Sequence, residues 1–177
     1  SLRRISVNTA FIGTMTFLMF WLYQSILQFL SFPVSAFGFI AAGFNGAGMI
    51  LLLFLSRIQK KVSNSAILFV TSFGSAALYL ISGLYPSLFT ALLAIFGITM
   101  FRFFRSPILL TIINTNIPDS KRETVLSGLS MLERIITTLC YFIVGILSDI
   151  SIPLTFVVIG LITLLISVCM PITKKHL

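Results

Sequence analysis

The sequence LTFVVIGLITLLISVCM, residues 154–170, contains no charged residue and is close to the roughly 20 residues that a helix needs to cross a bilayer. Five other stretches are similarly long and apolar. They are too long for strands and lack the polar–apolar alternation of a membrane barrel. The sequence therefore predicts an all-α fold, an integral membrane six-helix bundle forming a single domain over residues 1–177. The other stretches are 9–30, 36–55, 65–84, 88–113 and 124–148.

The composition agrees with a lipid environment. Hydrophobic residues make up 58% of the chain and charged residues only 9%, against about 25% in soluble domains. In a soluble protein, the formal charge of +8 would suggest nucleic acid as a partner. Here the basic residues lie mostly in short runs between apolar stretches, as membrane orientation signals do. We therefore expect the lipid bilayer, and no nucleic acid, as a partner.

The basic residues distinguish the two sides of the membrane. The connections 31–35, 84–87 and 149–153 each contain a proline and no Lys or Arg. The loops 56–64 and 114–123 and the two termini contain nine basic residues. By the positive-inside rule, both termini and these two loops are predicted to be cytoplasmic, in a multi-pass protein of the cell membrane. The nine are Arg3, Arg4, Arg57, Lys60, Lys61, Lys121, Arg122, Lys174 and Lys175.

Four charged residues lie inside the predicted fourth and fifth helices, where such residues usually face a bundle interior or a wet cavity. At 1.5 Å per residue, Arg102, Arg105, Glu133 and Arg134 all lie about 16 to 21 Å from the cytoplasmic helix ends, in one layer. We hypothesise that Glu133 pairs with Arg102 or Arg105. Such a pair would either lock two helices together or belong to a site that binds an anionic substrate or couples to ion movement. At least one arginine has no acidic partner in this layer.

Three neutral side chains are further candidates. Gln24 and Gln28 share a helix face, and both helix–helix hydrogen bonding and substrate contact fit them. Asn45 lies among glycines that let membrane helices approach closely, so it fits packing or a cavity contact. The candidate substrate or cavity residues are Gln24, Gln28, Asn45, Arg102, Arg105, Glu133 and Arg134.

The chemistry of enzymes and metal sites has no residues to support it. Cys140 and Cys169 fall in apolar stretches, and the single histidine, His176, lies in the tail. The sequence has no phosphate-binding glycine loop with Lys, no G-x-S-x-G and no H-E-x-x-H motif. We therefore predict no catalytic residues, no metal and no cofactor.

A longer pattern spans the fourth helix, the fifth helix and their loop. It consists of RFFRSP (102–107), IPDSKR (117–122), Leu126-Ser127 and GILSD (145–149). This pattern resembles the tenth and eleventh helices of many bacterial transporters of the major facilitator superfamily. The resemblance extends over residues 101–149 in detail and over nearly the whole chain in topology.

The resemblance implies half of a major facilitator superfamily fold: helices seven to twelve of a secondary transporter of a small solute. The first, second, fourth and fifth helices would line a central cavity, with the third and sixth outside. The partner would be an N-terminal six-helix half, and alternating access would come from rocking the two halves. The start at Ser1 fits a piece of a longer protein. Efflux, and proton coupling through Glu133, are among the expected modes.

Two other function classes stay open. A substrate-binding subunit of an energy-coupling vitamin transporter also has six helices and about this length. The Ser1 start and the Arg-Pro fourth helix argue against it. A non-transporting membrane scaffold is the other class, and the clustered intramembrane charges argue against that. The substrate, the direction of transport and the coupling ion stay open.

Overall fold

The computed structural model describes residues 2–115 and 117–170, with side chains at 7–115, 117–118 and 122–170. The basic residues 3, 4, 121, 174 and 175 and His176 therefore lie outside the described side chains. Within the described ranges the chain is helical and contains no strand, which confirms the all-α prediction. The helices are α1 (Leu2–Phe29), α2 (Phe37–Gln59), α3 (Asn64–Leu84), α4 (Leu88–Thr115), α5 (Asp119–Ile150) and α6 (Ile152–Cys169).

By length and composition, all six helices qualify to cross a membrane. Several extend beyond the apolar stretch that predicted them, because backbone hydrogen bonding continues after the hydrophobic residues end. The helix α1 begins at Leu2 and α5 at Asp119, each several residues earlier than the sequence pattern indicated. The structure therefore supports a multi-pass membrane protein.

The short turns follow from local chemistry. Ser63 and Ser151 act as N-caps, each accepting a hydrogen bond from a backbone N–H three residues later, at Ala66 and Leu154. Ser31 lies just after α1 and adopts the left-handed region with φ 56°. This turn lets Phe32 N donate to Leu27 O at 2.9 Å. These caps satisfy backbone groups that lipid cannot.

The helices pack in a pattern with internal symmetry. The most extensive interface joins α3 to α6, and α1 packs against α4. Exchanging α1, α2 and α3 with α4, α5 and α6 converts the α3–α4 contact into α6–α1 and the α2–α4 contact into α5–α1. Because successive spanning helices alternate in direction, this exchange relates antiparallel helices. These contacts are those expected of an inverted repeat of three helices, except that the α5–α6 contact has no comparably extensive α2–α3 counterpart.

Buried polar groups connect the helices of the core. Tyr79 on α3 is fully buried, and its hydroxyl donates a hydrogen bond to Met15 O on α1 at 2.7 Å. Its ring packs edge-on against Phe156 of α6, with centroids 5.6 Å apart. One side chain thus fixes the positions of three helices.

The α3–α6 interface depends on glycine. A Cβ at Gly83 would lie 2.8 Å from Pro153 O and from Val157 N, both backbone atoms that cannot move aside cheaply. Gly160 of α6 faces α3 in the same way, because a Cβ there would lie 3.0 Å from Leu80 N. Small residues allow this close approach of two helices in lipid.

We predict that Gly83→Ala destabilises the protein by about 1–3 kcal/mol, because the added methyl group forces α3 and α6 apart. The measurement is the thermal unfolding midpoint of the purified protein in nanodiscs. Gly145→Ala on α5 is the matched control, since a Cβ there meets nothing within 4 Å. Equal midpoints for the two variants would contradict the close contact.

Candidate functional site

A cavity of about 700 Å³ lies between α1, α4 and α5. All four intramembrane charged residues of the sequence, Arg102, Arg105, Glu133 and Arg134, belong to its wall. No residue of α2 lines it, although the sequence resemblance had placed that helix at the central cavity. The other lining residues are Thr9, Gly13, Thr14, Thr16, Phe17, Ser106, Leu109, Leu110, Ile113, Leu126, Leu129, Ser130, Thr137, Thr138 and Tyr141.

The helix α1 presents one face to the cavity. Thr9, Gly13 and Phe17 recur every four residues, which is the spacing of one helix face. Thr14 meets Thr137 of α5, with their hydroxyl oxygens 3.0 Å apart. This face was missed at the sequence level because threonine is common in membrane helices for packing alone.

Arg102 is held by an aromatic ring and faces a carboxylate. Its guanidinium carbon lies 4.4 Å from the centroid of the Phe17 ring, a cation–π contact. Glu133 interacts with it electrostatically across the cavity. No hydrogen bond or direct salt bridge joins the two side chains in the described part of the chain. The hypothesised pair is thus a charge interaction across a gap, which leaves Arg102 able to take another partner.

Glu133 lies where α5 approaches α1 closely. A Cβ at Gly13 would be 4.0 Å from its Oε1, which is an ordinary van der Waals distance, so the carboxylate lies directly beside α1. Nearby, Trp21 of α1 packs edge-on against Tyr141 of α5, with ring centroids 6.2 Å apart. Trp21 therefore connects two helices beside the cavity.

Arg105 is buried, with only 2% of its surface exposed. Its Nη1 donates to Ser72 Oγ at 2.7 Å and to Leu68 O at 3.3 Å, both on α3, and its Nη2 donates to Asn8 Oδ1 on α1. These contacts exclude Glu133 as its partner, so that alternative of the pairing hypothesis is wrong. We call Arg105, Asn8, Ser72 and Leu68 the Arg105 cluster.

Asn8 extends this cluster to a fourth helix. Its Nδ2 donates to Met170 O at 2.7 Å, just past the end of α6. Nothing in the sequence singles out Asn8, because this residue precedes the apolar stretch that begins at Thr9. One guanidinium thereby connects α1, α3, α4 and the end of α6.

The three neutral candidates lie away from the cavity. The Gln24 Nε2 donates to Tyr23 Oη at 3.0 Å, and Gln28 is exposed. Asn45 is exposed on α2 and donates to Ala41 O of its own helix at 2.9 Å. Gln24 lies seven residues beyond Phe17, which moves it about 10 Å along the helix axis.

No metal site emerges from the described residues, which contain no group of three or more His, Cys, Asp or Glu side chains. Cys140 and Cys169 are free thiols. The charged and hydroxyl side chains of the cavity wall can provide electrostatic binding and hydrogen bonding.

We predict that Asn8→Ala lowers the free energy of unfolding by about 1–3 kcal/mol, because it leaves donors of the buried Arg105 without an acceptor. Denaturant or thermal unfolding in nanodiscs measures the effect. Asn45→Ala is the matched control, since that amide bonds only its own exposed helix. An Asn8 variant as stable as the Asn45 variant would show that the Arg105 cluster contributes nothing to stability.

Comparison of the chain with models of protein families, with curated proteins and with solved structures finds no significant match.

Proposed function

We propose that this chain is the C-terminal six-helix half of a secondary transporter of the major facilitator type. The cavity between α1, α4 and α5 would carry one side of the path of a small solute. The observation that carries this proposal is the set of four charged side chains around a cavity inside a membrane bundle. Charges at such a depth are expensive and typically mark a substrate or ion pathway.

The helix packing supports the proposal. An inverted repeat of three plus three helices is the arrangement within each half of such transporters. The helices α1 and α4 contact each other. In addition, α1 contacts α5 and α6, and α4 contacts α2 and α3, as that pattern requires. In this arrangement the two repeats meet at the cavity.

The exposed faces of α2 and α5 support a partner. Arg134 is exposed in the middle of α5, and contact of its charge with lipid would be costly. On α2, a Cβ at Gly38 or Gly46 would meet nothing, so these positions offer close approach to another helix. A second six-helix half, packed over α2 and α5, would cover both features and close the cavity.

The orientation follows from exposed charge. Arg57, Lys60 and Lys61 lie exposed at the end of α2 and the loop after it. With that loop in the cytoplasm, α4 ends on the cytoplasmic side, and the wall runs from there through Ile113 to Arg102. Both termini then lie in the cytoplasm.

We predict two-sided access to the cavity. In a version with Cys140 and Cys169 replaced by Ser, Thr138→Cys should react with the membrane-impermeant anion sulfonatoethyl methanethiosulfonate in both right-side-out and inside-out vesicles. Alternating access exposes a cavity residue to each side in turn, and Thr138 is an exposed residue of the wall. The vesicles come from cells that make the protein in its natural setting, so that any partner half is present.

Leu139→Cys is the matched control. Leu139 is the next residue after Thr138 and is exposed, but it does not line the cavity. It should react far more slowly from either side. Labelling of Thr138→Cys from one side only would contradict the transporter and favour a binding subunit. Equal rates for Thr138→Cys and Leu139→Cys would contradict an aqueous cavity altogether.

A further inference from the structure

The cavity wall carries an excess of positive charge. Arg102, Arg105 and Arg134 face it, against the single carboxylate of Glu133 among the described lining residues. Arg102 already feels that carboxylate, whereas Arg105 is satisfied by neutral oxygens. Two positive charges are therefore left without a compensating anion in a site of low dielectric, where an uncompensated charge is costly.

Arg105 also retains an unused donor. Its Nε is fully buried and has no hydrogen-bond partner among the described residues. Such donors are rare in folded proteins, since each costs free energy when buried unpaired. The terminal nitrogens of the group are fixed by the Arg105 cluster, so the guanidinium is held rigidly in the wall. Because this N–H is closed off from the cavity, Arg105 contributes a fixed positive charge to the wall, and the less buried Arg102 is the guanidinium that can meet a carboxylate or phosphate oxygen.

Part of the remaining wall is apolar. Leu109, Ile113 and Leu129 lie on the side of the cavity nearer the cytoplasmic helix ends, and Phe17 lies under Arg102. A small inorganic ion would leave these surfaces in contact with water. A ligand with an apolar or aromatic body would cover them while its charged end met the arginines.

We propose that the cavity binds an organic anion, with a carboxylate or phosphate group at Arg102, near the fixed positive charge of Arg105, and an apolar body against Leu109, Ile113 and Leu129. This inference rests on the proposed function and names its substrate class. Glu133 then opposes the ligand, because its carboxylate lies opposite Arg102 and competes for that charge. The opposing carboxylate keeps binding reversible, as transport requires.

The test uses matched aromatic probes and ligand-induced stabilisation of the purified chain in phosphatidylcholine nanodiscs. Benzoate and phenyl phosphate carry the anionic group, benzamide is neutral and benzamidine is cationic. The anions at millimolar concentration should raise the unfolding temperature in a saturable way, and the other two should not. Stabilisation by benzamide or benzamidine equal to that by benzoate would overturn the proposal, as would the absence of any effect of both anions.

Two cavity variants should shift binding in opposite directions. Arg102→Gln should weaken the apparent Kd of benzoate by about tenfold, the loss of a charge-assisted hydrogen bond. Glu133→Gln should tighten it several-fold, because the competing carboxylate is removed. Arg57→Gln is the matched control, since Arg57 also stacks on a phenyl ring, 5.6 Å from Phe54, but lies outside the cavity. Structural damage cannot produce tighter binding, so a Glu133 variant that weakens binding would refute the assigned geometry.

A last arm separates a free anion from a lipid headgroup. Nanodiscs that contain phosphatidylglycerol should leave the benzoate Kd unchanged if the ligand is a free solute. If phosphatidylglycerol competes with benzoate, and Arg102→Gln abolishes the competition, the ligand of the cavity is an anionic lipid and not a free anion. Two-sided labelling at Thr138 together with no anion binding would leave the transporter and reject only its substrate class. Anion binding together with one-sided labelling would reject the transporter instead.

Discussion

A buried guanidinium in a membrane bundle must find its hydrogen-bond acceptors within the protein, because lipid offers none. Arg105 meets this requirement with one oxygen from α1 and two from α3, and Asn8 passes the connection on to the end of α6. The positions of these helices are therefore coupled: moving any of them away leaves a charged donor unpaired. The α3–α6 contact, built on Gly83 and Gly160, adds close backbone packing to the same group of helices. The remaining helices, α2 and α5, are the least buried.

This division of the bundle explains where the cavity lies. The Arg105 cluster and the glycine contacts hold α1, α3, α4 and α6 together. The helix α5 is the least buried of the six, and its contacts with α1 include the Thr14–Thr137 hydroxyl contact and the Trp21–Tyr141 ring pair. The cavity lies between this less buried helix and α1 and α4. Arg105 thus belongs to both parts of the molecule, since its terminal nitrogens bond the rigid helices and its side chain contributes to the wall of the cavity.

Much of the fold could be predicted from the sequence, because length and hydropathy suffice to identify membrane-spanning helices. The layer of four charged residues was also predictable, since counting residues along a helix gives depth. Counting does not show, however, which neighbouring helix a side chain faces, so Glu133 was a plausible partner for Arg105. The packing shows that Asn8 of α1 and Ser72 of α3 accept the hydrogen bonds of Arg105 instead. Asn8 was not among the predicted site residues, because the first apolar stretch begins one residue after it, at Thr9. Gln24 was chosen for the helix face that it shares with Gln28, and Asn45 for its place among glycines. The structure shows that the hydrogen bonds of Gln24 and Asn45 stay within their own helices.

The charges of the cavity and the exposed faces beside it are connected by one energetic argument. A bundle with an exposed Arg134 and an unsatisfied Arg105 Nε is not at its lowest free energy alone in lipid. A partner half that covered α5 would remove Arg134 from lipid, but if it also supplied carboxylates to every arginine it would leave no charge for a ligand. Glu133 provides partial compensation, because it interacts with Arg102 across a gap without a direct salt bridge. A wall that is partly compensated can exchange its internal charge interaction for an external anion at small net cost, which is the condition for binding a solute on one side of a membrane and releasing it on the other.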